Sequence, residues 1–109
     1  RAMIRQAGLV LGVLVLSLPA LAKGDVQAGE KKAMMCVACH GADGVSSVAL
    51  YPSIAGQSEA YLVQAMQAYK KGERSGGQAE IMKAYVSGLS DEDIENLAAY
   101  YAQKSKPGQ

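Results

Sequence analysis

Two cysteines and the chain's only histidine lie within five consecutive residues, Cys36-Val37-Ala38-Cys39-His40. Two thiols three positions apart, followed directly by an imidazole, form the C-x-x-C-H pattern that is typical of covalent haem attachment. Each thiol can add across one vinyl group of the porphyrin, and the histidine then lies under the iron. The motif therefore predicts one covalent haem c, held by Cys36 and Cys39, with His40 as an axial ligand.

The same residues permit other interpretations. Two cysteines in an exported chain can form a disulfide or a dithiol redox pair, but such redox pairs accompany a strand–helix unit that the sequence does not show. A tetrahedral zinc site needs a fourth ligand, and without another cysteine or histidine it would have to recruit a carboxylate. The haem interpretation is favoured over these alternatives because the rest of the chain is helical and begins with an export signal.

A haem iron with one histidine needs a second ligand or an open site. Met34 and Met35 directly precede the motif and are too close to reach the other face of the haem. Met66 lies on the apolar face of a predicted helix, where core packing is its expected role. Met82 follows His40 by 42 residues, which is enough chain to wrap the haem. Met82 is therefore the predicted second axial ligand.

The first 22 residues have the composition of an export signal. Arg1 and Arg5 precede the apolar run 9–18, and Ala20-Leu21-Ala22 has the small-residue pattern of a cleavage site. Ten apolar residues are too few for a bilayer-spanning helix, which needs roughly 20. We expect a signal peptide over 1–22 and a periplasmic domain over 23–109 that is not an integral membrane protein after cleavage. An uncleaved anchor is the less favoured alternative.

Composition limits what the remaining 87 residues can be. Their length indicates one domain. Nine basic and ten acidic residues do not give the excess of positive charge that nucleic-acid binding requires. The domain contains neither Phe nor Trp, and its aromatic residues are six Tyr. A core with so few large aromatic side chains would be stabilised by a metal, a disulfide or a large apolar cofactor.

Hydrophobic periodicity predicts an all-α domain. Asp25 can cap a first helix, whose small and apolar positions are Val26, Gly29, Ala33 and Val37. Ser58 can cap a second helix over Glu59–Lys71, and a short helix is predicted over Ala79–Val86. The pattern Ser90-x-x-Asp93 predicts a capping box for the last helix. Residues 41–57 are predicted to be loop, although Val45–Tyr51 could form a short strand.

These residues resemble the class I c-type cytochromes, closest to the small bacterial periplasmic type and to one domain of the two-haem cytochromes c-four. The resemblance covers nearly all of 23–104 and rests on five pieces: G-D-V-Q-A-G-E at 24–30, C-V-A-C-H-G-A-D-G at 36–44, Y-P-S-I-A-G-Q at 51–57, K-x-G-x-R ending at Arg74, and L-S-D-E-D-I-E-N-L-A-A-Y-Y at 89–101. It implies a cytochrome c fold, with three main helices and a short one around a single covalent haem. It also implies thioethers at Cys36 and Cys39 and axial ligation by His40 and Met82.

The resemblance suggests supporting roles as well. Pro52 corresponds to a proline whose carbonyl accepts from the proximal histidine, and Arg74 to a residue near the haem propionates. Gly29 and the pair Tyr100/Tyr101 correspond to the crossing of the first and last helices. The chain departs from the family pattern where Tyr or Met replaces Phe. Its single haem motif makes it at most half of a tandem molecule.

The function implied is one-electron transfer by a carrier that is not itself an enzyme. The leading expectation is a periplasmic shuttle that docks transiently with redox proteins, through contacts of less than about 1,200 Å². A haem subunit of a periplasmic oxidoreductase is the first alternative. A ligand-binding or peroxidatic haem protein is the second, and it requires that Met82 does not ligate the iron. A surface patch for docking could involve five lysines, although a solvated face is the more common role of such residues: Lys31, Lys32, Lys70, Lys71 and Lys83.

Overall fold

The computed structural model describes residues 8, 10–13 and 24–108. All regular structure in these residues is helical, which confirms the prediction of an all-α fold. None of the helices in this part of the chain has both the length and the apolar character required to cross a membrane. The predicted signal segment and its cleavage after Ala22 lie almost wholly outside the described residues and stay predictions.

The described residues form five α-helices and one 3₁₀ turn. The α-helices are α1 (Val26–Lys32), α2 (Val37–His40), α3 (Glu59–Lys70), α4 (Ala79–Val86) and α5 (Asp91–Ala102), and the 3₁₀ turn is Ala33–Met35. Helix α4 has its predicted bounds, and α3 ends one residue earlier than predicted. The start of α3 is fixed by a cap, because Ser58 accepts from the N–H of Tyr61.

The predicted first helix is shorter than its apolar spacing indicated. The Asp25 carboxylate caps α1 by accepting from the N–H groups of Gln27 and Ala28, at 2.9 and 3.2 Å. The helix ends at Lys32, and the chain tightens into the 3₁₀ turn before it reaches Cys36. Of the predicted positions on one face, Gly29 and Ala33 are buried, whereas Val26 is exposed. The break lets the cysteine segment form a separate helical turn.

Helix α5 forms the centre of the core. Its start is a reciprocal capping box: Ser90 Oγ accepts from the Asp93 N–H, and Asp93 Oδ2 accepts from the Ser90 N–H. Ile94 and Leu97 are essentially inaccessible to solvent. Further buried residues of the core cluster are Ala33, Leu62, Val86, Leu89, Ala98, Tyr100 and Tyr101.

Helices α1 and α5 cross with their backbones in contact. A Cβ atom at Gly29 would lie 2.0 Å from the carbonyl oxygen of Asn96 and 2.8 Å from the Cβ of Tyr100. The buried amide of Asn96 accepts a 2.8 Å hydrogen bond from the Asp25 N–H. Of the expected tyrosine pair, Tyr100 is the residue found next to Gly29, whereas Tyr101 packs against Gly44 in the loop before α3.

That loop is residues 41–57, which contain bends and turns and no strand. The expectation of a short strand over Val45–Tyr51 is thus wrong. The Ser46 hydroxyl explains why, since it bonds to the carbonyl of Cys39 and to the backbone of Val48 and so folds the segment on itself. The loop is tied to α5 by the Gly56 N–H, which donates to the Tyr101 carbonyl at 2.9 Å.

Candidate functional site

The C-x-x-C-H segment is fixed as one turn of helix. The His40 N–H donates to the Cys36 carbonyl at 2.9 Å. Because residues three and four apart share one face of a helix, this turn directs Cys36, Cys39 and His40 to the same side. Gly41 ends the turn with a φ of 83°, and a Cβ atom there would lie 2.0 Å from the carbonyl oxygen of Val45. Both cysteines are half-buried free thiols.

These side chains line a largely apolar cleft. The cleft contains about 1340 Å³ of empty space, including its open mouth. Its walls come from the cysteine segment, the loop before α3, and helices α3, α4 and α5. The structure brings all six predicted site residues to this one cleft: Cys36, Cys39, His40, Pro52, Arg74 and Met82.

His40 is held in a defined orientation. Its side chain is 7% exposed, and Nδ1 lies 2.7 Å from the carbonyl oxygen of Pro52. A carbonyl oxygen can only accept, so Nδ1 carries the proton and Nε2 is the basic nitrogen. Nε2 makes no hydrogen bond to the described residues and is left available as a ligand atom. A hydrogen bond of this kind fixes the tautomer and increases ligand basicity.

Two methionines contribute to the wall formed by α3 and α4. Met82 from α4 and Met66 from α3 are both half-buried, pack against the core and line the cleft. Core packing was the predicted role of Met66, and its position on the wall as well is a feature that the sequence did not indicate. Met34 is 76% exposed and does not line the cleft.

Arg74 lines the cleft and contacts two tyrosine side chains. Its guanidinium donates to the hydroxyls of Tyr69 and Tyr61, at 3.1 and 3.3 Å, and lies 4.9 Å from the centre of the Tyr69 ring. These two hydrogen bonds raise the pKa of Arg74 above its ordinary value. No carboxylate pairs with Arg74 among the described residues, so its remaining N–H donors are available to an acid group in the cleft.

Tyr101 contributes a buried polar group that sequence reasoning missed. Its side chain lines the cleft, and its hydroxyl is buried without a hydrogen bond. Burial raises the pKa of the Tyr101 phenol and also that of the Cys36 thiol; the Cys39 thiol adds to the rise at Cys36, and the Tyr101 hydroxyl opposes it. An unpaired buried polar group costs about 1–3 kcal/mol. Nothing local in the sequence indicated that the Tyr101 hydroxyl is unpaired.

The residues present fit a haem better than a bare metal ion. Two thiols, an oriented imidazole, one cation and three thioether sulfurs, those of Met35, Met66 and Met82, line a largely apolar cleft. This lining matches a flat apolar macrocycle with an iron centre and acidic edge groups. Within the described residues, no three His, Cys, Asp or Glu side chains converge as an ion site. The zinc alternative therefore receives no support from the geometry.

Comparison with known proteins decides the family. The family model for cytochrome c matches residues 26–104, which is more than half of the chain. The chain belongs to the cytochrome c family. A cytochrome c-554(548) from Halomonas halodenitrificans is 49% identical over 81 residues, which cover 74% of this chain and 98% of that protein. Electron transfer is the function of this family, and haem c is its covalently bound cofactor.

Other relatives of this cytochrome c domain are larger proteins. A cytochrome c4 from Pseudomonas aeruginosa is 43% identical and matches 88% of this chain but 47% of its own length. The crystal structure of reduced recombinant cytochrome c4 from Pseudomonas stutzeri superposes with a TM-score of 0.68 at 39% identity, covering 75% of this chain and 46% of that one. The chain thus spans about half the length of the cytochromes c4 that it matches.

A more distant relative is named as part of an enzyme. The cytochrome subunit of sulfide dehydrogenase from Chlorobaculum tepidum is 34% identical, with 81% of this chain and 76% of the subunit covered. Cytochrome c domains similar to this one therefore include subunits of oxidoreductases as well as proteins named simply as cytochromes.

Proposed function

We propose that this chain is a periplasmic one-electron carrier whose haem c is attached through Cys36 and Cys39 and ligated by His40 and Met82. The observation that carries the proposal is the convergence of these residues on one apolar cleft. The haem supplies the ferric/ferrous couple.

The cysteine turn would fix the position of the cofactor. The thiols of Cys36 and Cys39 would each add across a vinyl group of the porphyrin. Each addition would break one S–H bond and one C=C π bond, form one C–S and one C–H bond, and consume no oxidant. Because His40 follows Cys39 directly, its imidazole is then held close to the iron. The Pro52 carbonyl keeps the ring in place and makes Nε2 the ligating nitrogen, in accord with its 2.7 Å distance from Nδ1.

Met82 would complete the coordination from another helix. A thioether ligand stabilises the ferrous state and raises the reduction potential. Leu62, Val86 and Leu97 line the cleft and keep water away from the cofactor. With both ligands retained in the two oxidation states, electron transfer requires little rearrangement of the protein.

The surface around the cleft supports brief docking. Leu50, Tyr61, Ile81 and Tyr85 line the cleft and are each at least 44% exposed. The five lysines that the sequence allows as a docking patch do not line it, and Lys70 donates to the carbonyl of Leu89. We infer that redox partners dock against this apolar margin and that the lysines form a solvated surface.

A second candidate function is that of a haem subunit in an oxidoreductase complex. It is favoured by the relative from Chlorobaculum tepidum, of whose length the chain covers 76%. A subunit would co-purify in fixed ratio with its enzyme from the native host, whereas a shuttle would be isolated alone.

The deciding experiment is expression with and without residues 1–22, in a host that attaches haem to exported proteins. We expect the periplasmic product to have the mass of the chain plus one haem, with no titratable thiol and a weak ferric sulfur-to-iron absorption band. A Cys36→Ser, Cys39→Ser double variant serves as the control without attachment. A mass two hydrogens below the apoprotein would indicate a disulfide and reject the proposal. A high-spin haem would instead support a ligand-binding protein.

A further inference from the structure

Tyr101 stands out among the buried polar groups of the described residues. Its side chain is 3% exposed, yet its hydroxyl makes no hydrogen bond, and it is the single buried side-chain polar atom of this kind in that part of the chain. The hydroxyl of a tyrosine in such a place normally finds a partner. A phenylalanine would fill the same space without an unpaired group, so the hydroxyl calls for an explanation.

The surroundings of Tyr101 limit which atom can be that partner. One edge of the ring packs on Gly44, where a Cβ atom would lie 2.9 Å from Tyr101 Cδ1. The ring of Tyr100 meets it edge to face, with centroids 5.1 Å apart. Cys36 packs against the core cluster that contains Tyr101, and both residues line the same cleft; each group also alters the pKa of the other.

The chemistry of that sulfur changes when it becomes a thioether. A thiol is both a weak donor and a weak acceptor, whereas a thioether sulfur can only accept. A thioether at Cys36 could therefore accept a hydrogen bond but not donate one, and Tyr101 offers a buried O–H without a partner. The unpaired donor and the acceptor sulfur are complementary in the haem-loaded protein.

We propose that the Tyr101 hydroxyl donates a hydrogen bond to the thioether sulfur of Cys36 and thereby raises the reduction potential. The inference rests on the proposed function, in which Cys36 carries the haem. A donated hydrogen bond draws electron density from the sulfur and hence from the attached macrocycle, which favours the electron-rich ferrous state. Hydrogen bonding next to a redox centre is a general means of tuning its potential. Tyr101 is thus a positioning and tuning residue, and it does not contact the iron.

The test compares Tyr101→Phe with Tyr100→Phe in the haem-loaded protein. Each variant removes one hydroxyl from the same buried helix, but Tyr100 packs against Gly29 and does not line the cleft. We expect Tyr101→Phe to lower the equilibrium constant for reduction by three-fold to ten-fold, where ten-fold corresponds to about 59 mV for one electron. Tyr100→Phe should leave the potential unchanged. Equal shifts in both variants, or no shift in Tyr101→Phe, would overturn the inference.

A Cys36→Ala background identifies the acceptor. In that protein the haem is held by Cys39 alone, and Tyr101→Phe should no longer change the potential. If the shift persists, the partner of the hydroxyl is not the Cys36 sulfur. Proton NMR of the diamagnetic ferrous protein gives a direct check, because the Tyr101 hydroxyl proton should exchange slowly and be missing in Tyr101→Phe. Mass spectrometry distinguishes a failure of the proposed function from a failure of this inference. Haem absent from Cys36 contradicts the proposed function. Haem present on Cys36, with the same potential in Tyr101→Phe and the parent, contradicts this inference alone.

Discussion

The backbone of Gly29 lies so close to the carbonyl group of Asn96 that a Cβ atom at position 29 would be 2.0 Å from the carbonyl oxygen. Such a distance is far below van der Waals contact, and the neighbouring atoms are backbone that cannot move aside cheaply. The contact joins α1 to α5 and sets the position from which the cysteine turn follows. Its first consequence is a prediction about stability.

Gly29→Ala should destabilise the folded haem protein by about 1–3 kcal/mol or more, because the added methyl group forces the two helices apart. Thermal unfolding followed by circular dichroism provides the measurement. Gly88→Ala is the matched control, since a Cβ there meets nothing within 4 Å and its backbone is not left-handed. A melting temperature lowered equally in both variants would contradict the steric explanation.

Met82→Ala should open an axial position, bind carbon monoxide in the ferrous state, and lower the reduction potential by on the order of 100 mV, within the ~0.8 V range that axial ligands span. Met66→Ala is the comparison, because Met66 also lines the cleft. The Met66→Ala variant should retain the ferric sulfur-to-iron band. Its free energy of unfolding should fall by only part of the ~2–5 kcal/mol that truncating a buried methionine costs. Loss of that band in Met66→Ala, with Met82→Ala unchanged, would assign the ligand to Met66.

Arg74→Gln should lower the reduction potential, because removing a positive charge at the cleft favours the more positive ferric state. The shift should shrink as ionic strength rises, since salt screens exposed charges. Lys71→Gln makes the same change of charge at an exposed residue that does not line the cleft. Potentiometric titration at low and high salt should therefore separate the two variants. Identical shifts would mean that Arg74 has no special relation to the cofactor.

Asp93→Asn should change how the free energy of unfolding depends on pH in the acid range. The hydrogen bond from the Ser90 N–H holds the pKa of the Asp93 carboxyl below its usual 3.8, and the Ser90 hydroxyl and the Lys32 ammonium add to this effect. A carboxylate with a depressed pKa stabilises the fold above its unfolded-state pKa, and this contribution is lost as pH falls through the folded-state pKa. The stability difference between Asp93→Asn and the parent should therefore shrink as pH falls below about 4. Denaturant titrations from neutral to acid pH check this, and a constant difference would refute it.

Local signals account for the elements that the sequence predicted well. The bounds of α3 and α5 follow from Ser58 and Ser90, whose side chains cap the helices within one turn. The motif around Cys36, Cys39 and His40 likewise depends on spacing within a few residues. Such interactions join residues that are close in the sequence, so they can be recognised without knowing the fold.

Long-range contacts account for what the sequence did not reveal. The end of α1 at Lys32 depends on how the cysteine turn meets the rest of the fold, and apolar spacing continues past that point to Val37. The different environments of Tyr100 and Tyr101 arise because one faces Gly29 and the other faces Gly44. Two identical neighbouring residues carry no local sign of this difference.

The hydrogen bond between Asp25 and Asn96 joins residues 71 positions apart, and Cys36 and Cys39 lie inside the long loop that it closes. Closing a loop of such length costs chain entropy, which the contact between α1 and α5 must offset. Under the proposed function, an attachment enzyme would reach both thiols most easily before α5 joins α1. The long loop would then serve maturation as well as folding, since the residues that bind the cofactor lie between the two ends that close the fold.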